Sequence, residues 1–460
     1  MKIRRIFAVF FSLLLAVTLS VDAFAADGDV GSLPDGEAAA KATLLIDPDT
    51  EEILYARNIH ERLYPASLTK IMTASLVLEA VDSGALTMDT VLTASETALA
   101  GLPADGSNAG IKAGEELTVR DLLCCVMVVS ANEACNVLAE AVSGSVAVFV
   151  DAMNAKAKAL GCEDTHFANT NGLQDIQHYT SAWDMYLIVK SARTHPDFMT
   201  LANTRMAEIP ATNLSAQRTY YTTNHLISTW RSAKYLYSGA EGIKTGSTSD
   251  AGLCLVSSAT RSGRSLISVV LGAQRVTLED GSAQMQNFSE TIRLFDYGFD
   301  GFTRRIILSD DELIDEVPVT LSQAVNSVKV HPAREIERLV PKDLDPETDI
   351  QREWTFIADS VEAPIQRGQV LGQITLSCGD TVYGTVDLLA DDNVPASRLL
   401  VFQRDALLFL QRPVVKLALI GAAALILLII VLRIALGSRR RRYGRSGGGY
   451  RGGGYRGRRR

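Results

Sequence analysis

Residues 65–73 read Pro-Ala-Ser-Leu-Thr-Lys-Ile-Met-Thr, and they contain a serine, Ser67, three residues before a lysine, Lys70. A helix is predicted to begin near Ser67 and to end at Gly84, because apolar residues recur between them at helical spacing. Residues three apart share a helix face, so Lys70 can reach the Ser67 hydroxyl and, with a lowered pKa, take its proton. Alone the motif is a weak signal, since an ordinary N-cap serine looks the same.

A second motif, Ser130-Ala131-Asn132, lies between two stretches predicted to be helical, at about 119–129 and 133–142. The Ser130 hydroxyl can relay a proton to a leaving amine. The Asn132 amide has both a donor and an acceptor and can hold a peptide backbone. A plain turn between two helices uses the same residue types, so this signal too is weak alone.

A third motif, Lys244-Thr245-Gly246, is followed by Ser247 on a predicted β-strand. A lysine and a hydroxyl at a strand edge can clamp a terminal carboxylate. Glycine lets a substrate strand approach closely. The alternative is that these residues are simply the end of an ordinary β-strand.

The strand pattern predicts a sheet built from both ends of the first 300 residues. Residues 42–46 and 53–56 flank a turn at 47–50, and residues 251–259 and 265–271 flank another after the strand at 243–245. Helical patterns lie between them and again at 289–297. The fold class is therefore α/β, with one mixed sheet whose first and last strands are neighbours. From 303 the pattern becomes short alternating runs, which predict a small all-β domain.

The two ends of the chain carry targeting signals. Lys2, Arg4 and Arg5 precede an apolar run and an Ala-Phe-Ala site, so residues 1–25 are predicted to be a cleaved signal peptide, with a retained anchor helix as the alternative. Residues 26–38 are predicted to be a flexible leader. Residues 414–436 are apolar over about 20 positions, enough to span a bilayer as one transmembrane helix. The basic, Gly/Arg-rich tail 437–460 is predicted to be cytoplasmic, which places the catalytic domain outside the cell membrane.

Charge and cysteine content narrow the class of function. The net charge is −8, and about ten arginines follow Gly437, so the body carries roughly −18 and is a poor partner for nucleic acid by charge. The six cysteines form no CxxC pair and are interpreted as small buried apolar residues. We expect no metal and no cofactor.

The three motifs follow one another at spacings of about 60 and about 110 residues, as in the SxxK, SxN and KTG set of penicillin-interacting serine enzymes. With residues 171–173 (Asn-Gly-Leu), 178–184 (His-Tyr-Thr-Ser-Ala-Trp-Asp) and 242–246 (Gly-Ile-Lys-Thr-Gly), the chain resembles the low-molecular-weight penicillin-binding proteins of the D-alanyl-D-alanine carboxypeptidase family. The resemblance implies a penicillin-binding/β-lactamase-like α/β catalytic domain with a central antiparallel sheet at 39–302. A β-rich stem domain at 303–410 and a membrane anchor would follow.

The resemblance also implies roles for individual residues. Ser67 would be the acyl-enzyme nucleophile, Lys70 its proton acceptor and Ser130 a proton relay. The substrate would be bound by Asn132, Lys244, Thr245, Gly246 and Ser247, with the backbone amides of Ser67 and Ser247 forming the oxyanion hole. The substrate would be a peptidoglycan stem peptide ending in D-Ala-D-Ala, and β-lactam antibiotics would be covalent inhibitors.

The chain departs from the family pattern at three places. Ala131 stands where many relatives have Gly or Asp, and Ser247 where some have histidine. The C-terminal anchor reads as a spanning helix, whereas some members have an amphipathic one.

Three other functions are alternatives to a carboxypeptidase. A class A β-lactamase would need an asparagine four residues after a deacylating glutamate, but Phe167 follows Glu163 at that distance. A transpeptidase or endopeptidase of the same fold remains open, because the motifs do not state whether water or an amine accepts the acyl group. A non-catalytic cell-wall-binding scaffold would not need Ser67, Lys70 and Lys244 together.

Overall fold

The computed structural model of this chain describes residues 30–33, 38–231, 233–379 and 381–442. The chain divides into two compact units: residues 1–304 with 339–343, and residues 305–338 with 344–460. The signal peptide predicted for 1–25, most of the leader predicted for 26–38 and residues 443–460 of the predicted tail lie outside the described residues.

The first unit contains the predicted catalytic motifs. Its helices are α1 (Lys70–Asp82), α2 (Glu96–Leu99), α3 (Val119–Cys124), α4 (Asn132–Ser143), α5 (Val146–Ala159), α6 (Ala182–Ala192), α7 (Phe198–Ala202) and α8 (Gln286–Gly301). Its strands are β1 (Ala42–Ile46), β2 (Ile53–Arg57), β3 (Val91–Thr93), β4 (Glu116–Thr118), β5 (Met206–Ile209), β6 (Arg218–Tyr221), β7 (Ala240–Thr248), β8 (Gly252–Arg261), β9 (Arg264–Ala273), β10 (Arg275–Thr277) and β11 (Ala283–Met285).

A five-stranded sheet in the order β2-β1-β9-β8-β7 forms the centre of this unit, and every neighbouring pair is antiparallel. The sheet is therefore antiparallel, as the family resemblance implies, and the mixed sheet predicted from the strand pattern is wrong. The predicted pairing of the first strand with the last is confirmed, since Leu44 of β1 lies opposite Val269 of β9. Strand β7, which carries Lys244, is an edge strand and pairs only with β8 within the described residues. Its outer side is therefore open to a further strand.

Helices cover both faces of the sheet because side chains alternate along a strand. Leu44 belongs to a core formed with α1 and α4, whereas its neighbour Leu45 belongs to a second core on the opposite face, formed with Leu294 and Phe295 of α8. All four side chains are fully buried. The predicted α/β fold is confirmed, and strand β7 of the sheet carries the Lys244 motif.

The second unit is mostly β-structure. Its elements are β13 (Asp315–Thr320), β14 (Ser327–Pro332), β16 (Gln351–Phe356), β17 (Val361–Glu362), β18 (Val370–Cys378), β19 (Thr381–Ala390), α9 (Arg398–Gln411) and α10 (Pro413–Arg442). Strands β12 (Phe302–Leu308) and β15 (Ile336–Pro341) pair with each other, and each has residues in both units. Six of the strands form one sheet in the order β16-β18-β19-β14-β13-β17. Inward-facing residues such as Val317, Val330 and Ile374 are buried, which matches the alternating sequence pattern.

The structure departs from the sequence-based expectations at two boundaries. Val30, in the predicted flexible leader, pairs with Ala56 through two backbone hydrogen bonds of 2.9 and 2.8 Å. Residues 398–411, included in the predicted β-rich stem, form helix α9, whose first turn is capped by the Ser397 hydroxyl.

Helix α10 contains an apolar segment of 22 residues, Pro413–Ile434, with a mean hydropathy of 2.9 and no burial within the protein. At about 1.5 Å per residue this length is enough to cross a hydrocarbon core of about 30 Å. The bent pair α4 and α5 is also apolar, but it contributes Leu138 and Phe149 to the core of the first unit. One helix of the described chain is thus a candidate membrane anchor.

Candidate active site

Ser67 lies in a short 3-10 helix, Ala66–Thr69, that leads directly into α1. Ala66 adopts the left-handed backbone conformation, with φ 48°, and two glycines lie against it. A Cβ atom on Gly172 would come within 1.8 Å of the Ala66 carbonyl oxygen, and one on Gly246 within 3.2 Å of the Ser67 nitrogen. The turn is therefore held between the loop of Gly172 and strand β7, and only glycine fits at both places.

Lys70 is fully buried beneath this turn and has three polar contacts. Its Nζ atom lies 2.9 Å from Ser67 Oγ, 2.8 Å from Asn132 Oδ1 and 2.6 Å from the Asn171 carbonyl oxygen. The predicted serine–lysine contact is made across a 3-10 turn, in which residues three apart are eclipsed, and not within α1 itself. Ser67, Lys70 and Asn132 thus form one cluster.

The contacts of Lys70 fit both of its protonation states. A carbonyl and an amide oxygen can only accept hydrogen bonds, whereas the Ser67 hydroxyl can accept or donate. A charged ammonium donates to all three. A neutral amine donates to Asn132 and Asn171 and accepts from Ser67. Burial lowers the pKa of Lys70 to about 8, so the neutral amine is accessible near neutral pH.

Ser130 follows a five-residue π-helical turn, Cys125–Val129, and adopts the left-handed conformation with φ 67°. Its hydroxyl accepts a hydrogen bond of 3.0 Å from Lys244 Nζ, which also donates to the Thr245 carbonyl at 3.0 Å. Both side chains are buried. Burial, together with the charge of Lys70, lowers the pKa of Lys244 well below its usual value. An arriving carboxylate would raise it again, because an opposite charge favours the ammonium form.

Three further residues contact the site, and the sequence motifs predicted no role for them. Thr223 Oγ1 lies 2.6 Å from Thr245 Oγ1, and the Asn171 carbonyl binds Lys70. Buried His178 accepts from the Ala168 amide at Nδ1, so Nε2 carries the proton and donates to Thr69 Oγ1 at 2.7 Å. Thr69 in turn donates to the Ala66 carbonyl at 2.9 Å. His178 is neutral, because burial lowers its pKa to about 4.

Thr245 and Ser247 are more accessible than Lys244. Thr245 is half-buried and Ser247 is exposed at the open edge of β7, with Gly246 buried between them. The position of Gly246 against the Ser67 nitrogen brings this strand beside Ser67. No group of three His, Cys, Asp or Glu side chains in the described part of the chain is placed to hold a metal ion.

Comparison with protein families gives two matches. Residues 29–275 match the family model described as D-alanyl-D-alanine carboxypeptidase, and residues 302–396 match that of the penicillin-binding protein 5 C-terminal domain. The first match contains all three motifs, and the second covers the β-rich part of the second unit.

Individual relatives agree with these matches. The D-alanyl-D-alanine carboxypeptidase DacF of Bacillus subtilis is 32% identical over 364 residues, covering 79% of this chain and 88% of the relative. The crystal structure of the D-alanyl-D-alanine carboxypeptidase DacD of Francisella tularensis is 28% identical with a TM-score of 0.63, covering 78% of this chain and 95% of that one. A variant of the Streptomyces K15 DD-transpeptidase is 29% identical with a TM-score of 0.51, covering 57% and 99%.

Proposed function

Because this chain belongs to the D-alanyl-D-alanine carboxypeptidase family, we propose that Ser67 is its acyl-enzyme nucleophile and Lys70 the base that activates it. The protein is a serine hydrolase that removes the terminal D-alanine from peptidoglycan stem peptides. The observation that supports these roles is the set of three hydrogen bonds made by Lys70 Nζ. The Ser67 hydroxyl can donate a proton to a neutral Lys70, whereas the oxygens of Asn132 and Asn171 can only accept.

Substrate binding begins with the terminal carboxylate. Lys244 and Thr245 receive it at the edge of β7, where Gly246 leaves room for the peptide backbone. With Asn132 Oδ1 bonded to Lys70, the Asn132 amide nitrogen is the group left to donate to a substrate carbonyl. These contacts place the scissile carbonyl at Ser67.

Acylation then moves one proton from Ser67 to the leaving amine. Lys70 takes the hydroxyl proton as Ser67 Oγ bonds to the carbonyl carbon, and the amides of Ser67 and Ser247 stabilise the oxyanion. Each such donor typically contributes about 2.7–4 kcal/mol. Ser130, hydrogen-bonded to Lys244, gives its hydroxyl proton to the departing D-alanine nitrogen as the C–N bond breaks, and it regains a proton from Lys70, which returns to the neutral amine. In the second half of the reaction Lys70 takes a proton from water as the water oxygen bonds to the ester carbon, and returns it to Ser67 Oγ as the ester bond breaks.

The acceptor of the acyl group can be tested directly. Incubating the full chain, purified in detergent, with a D-Ala-D-Ala pentapeptide and a free amino acid should yield the tetrapeptide, measured by mass spectrometry. We expect little product that carries the added amine. A dominant amine adduct would instead support transpeptidase activity, the function named for the Streptomyces K15 relative.

We further propose that α10 spans the cell membrane once, with the catalytic unit outside. Between Leu417 and Leu432 no residue is charged, so this helix lacks the polar face of one lying flat on the membrane. Lys416 and Arg433 stand at its two ends, where long side chains can reach the interfaces, and the arginines at 439–442 follow on the inner side.

This topology predicts a specific proteolysis pattern. Protease added to intact cells should release the catalytic unit and leave a small membrane fragment with a protected C-terminal epitope, detected by immunoblotting. Permeabilised cells, as the control, should lose the epitope as well. Digestion of the epitope from outside, or extraction of the protein by alkaline carbonate, would contradict a spanning helix.

A further inference from the structure

A cavity of about 350 Å³ in the first unit is not used by the mechanism. Its lining includes Lys41, Arg62, Tyr64, Ile176, Tyr179 and Asp250. A volume of this size is within the range of small-ligand pockets, roughly 300–1,000 Å³. The cavity is therefore large enough to hold a long amino-acid side chain.

Three segments that leave the active site meet again at this cavity. Tyr64 lies three residues before Ser67, Asp250 three residues after Ser247, and Ile176 four residues after Gly172. The Tyr64 carbonyl accepts a weak hydrogen bond of 3.8 Å from the thiol of Cys254, which lies opposite Gly246 in the sheet. The cavity is thus close to the catalytic serine on the side toward which β7 ends.

The direction of the substrate follows from the positions of its two ends. If the terminal carboxylate binds at Lys244 and Thr245 and the scissile carbonyl lies at Ser67 and Ser247, the substrate runs antiparallel to β7. Its N-terminal part then continues past Ser247 toward Asp250, along the open edge of the sheet. This step rests on the proposed function.

The distances agree with this path. Ser247 and Asp250 are three residues apart, across the turn that follows the end of β7 at Thr248, so they lie at most roughly 10 Å from each other. The residue before D-Ala-D-Ala is one position, roughly 3.4 Å, beyond the penultimate D-alanine. Its side chain, with four or five bonds, reaches several Å further and enters the region of the cavity.

The cavity presents both signs of charge. Lys41 and Asp250 are exposed, and within the described residues neither forms an ion pair. The stem of Lys41 crosses Gly272, since a Cβ there would lie 2.8 Å from its carbon atoms. Arg62 is already engaged with Asp164 at 2.9 Å and lies over the Tyr179 ring at 5.1 Å. Lys41 and Asp250 are therefore the free charges, beside the exposed apolar side chain of Ile176.

We propose that this cavity binds the side chain of the residue preceding D-Ala-D-Ala, and that it favours a side chain ending in both an ammonium group and a carboxylate. Lys41 pairs with the carboxylate and Asp250 with the ammonium. Ile176 and Tyr64 contact the methylene groups between backbone and charges. The cavity thereby selects among stem peptides that share the same D-Ala-D-Ala end.

The test uses four acetylated peptides X-D-Ala-D-Ala of similar size. X is meso-diaminopimelate with both charges, lysine with the ammonium, α-aminopimelate with the carboxylate, or norleucine with neither. Affinity is measured by calorimetry on the full-length Ser67→Ala variant, and kcat/KM on the enzyme that retains Ser67. We expect the diaminopimelate peptide to bind at least about threefold more tightly than the norleucine peptide, as for a partly exposed ion pair.

Variants that remove one charge each test whether Asp250 and Lys41 cause the differences in peptide affinity. Asp250→Asn should weaken binding of the lysine and diaminopimelate peptides only, and Lys41→Met that of the aminopimelate and diaminopimelate peptides only. Asp392→Asn, exposed in the second unit, is the control and should change none. Equal affinity for all four peptides, or equal weakening of all four by either variant, would overturn the proposal. If the norleucine peptide is hydrolysed as fast as the others, the proposed function stands while the cavity assignment fails. Selective binding of the charged peptides without hydrolysis would support the cavity assignment and contradict the proposed function.

Discussion

Replacing Ser67 with alanine is expected to abolish covalent labelling by a fluorescent penicillin and to lower the hydrolysis of a D-Ala-D-Ala peptide more than about ten-thousandfold. The reason is chemical: without the hydroxyl no ester can form, and Lys70 has no proton to take. Labelling is measured by gel fluorescence of the full chain, and hydrolysis by release of D-alanine.

Ser83→Ala provides a matched control. Ser83 is an exposed serine at the other end of α1, and its hydroxyl donates to the Ala80 carbonyl at 3.1 Å, so removal of the hydroxyl should leave both activities unchanged. Folding of the Ser67→Ala variant is checked by its circular dichroism spectrum and melting temperature, which should match the unmodified enzyme. Undiminished labelling of a folded Ser67→Ala variant would show that another residue is the nucleophile.

Much of the site was predictable because its chemistry depends on particular side chains. In the proposed mechanism Ser67, Lys70 and Lys244 act through a hydroxyl and two amines, which few residue types carry, and the order of these residues along the chain is itself a signal. The structure brings Lys70 to Ser67 and Asn132, and Lys244 to Ser130. The central strands were predictable for a similar reason, since long apolar runs bounded by turn residues leave few alternatives.

Other contacts have no sequence signal. The third partner of Lys70 is the backbone carbonyl of Asn171, a group that every residue carries. Thr223 reaches Thr245 from a loop 22 residues earlier, and threonine is common in loops. The left-handed conformations of Ala66 and Ser130 are set by surrounding structure and not by their residue types, which rarely adopt them. These features come from tertiary packing, so only the structure could place them.

The burial of Lys70 makes its protonation state the control point of the proposed reaction. An exposed lysine has a pKa near 10.4 and is almost fully charged at pH 7. Burial is the largest influence on Lys70 and lowers its pKa to about 8, whereas Glu133 and Cys135 act in the opposite direction.

The acylation rate is accordingly expected to rise with pH and to level off above about pH 8. The sign follows from the role: only the neutral amine accepts the serine proton, and its fraction grows tenfold per pH unit below the pKa. Penicillin acylation, measured by stopped-flow fluorescence between pH 5.5 and 9, roughly, checks the profile. A rate that falls over this range would mean that the charged form is the active one.

Two substitutions at Lys70 separate its charge from its basicity. Lys70→Arg keeps a positive charge, but a guanidinium is not deprotonated in proteins, so it cannot serve as a base. Lys70→Met keeps most of the buried stem and loses the charge. Removing a general base typically costs about 10²- to 10⁴-fold in rate, and we expect both variants to lose at least that much and also the pH dependence near pH 8.

Lys158→Arg, an exposed change on α5, is the control and should keep both the rate and the pH profile of the unmodified enzyme. If Lys70→Arg were slower but retained the same pH profile, Lys70 would act through its charge alone, and the base would have to be another group.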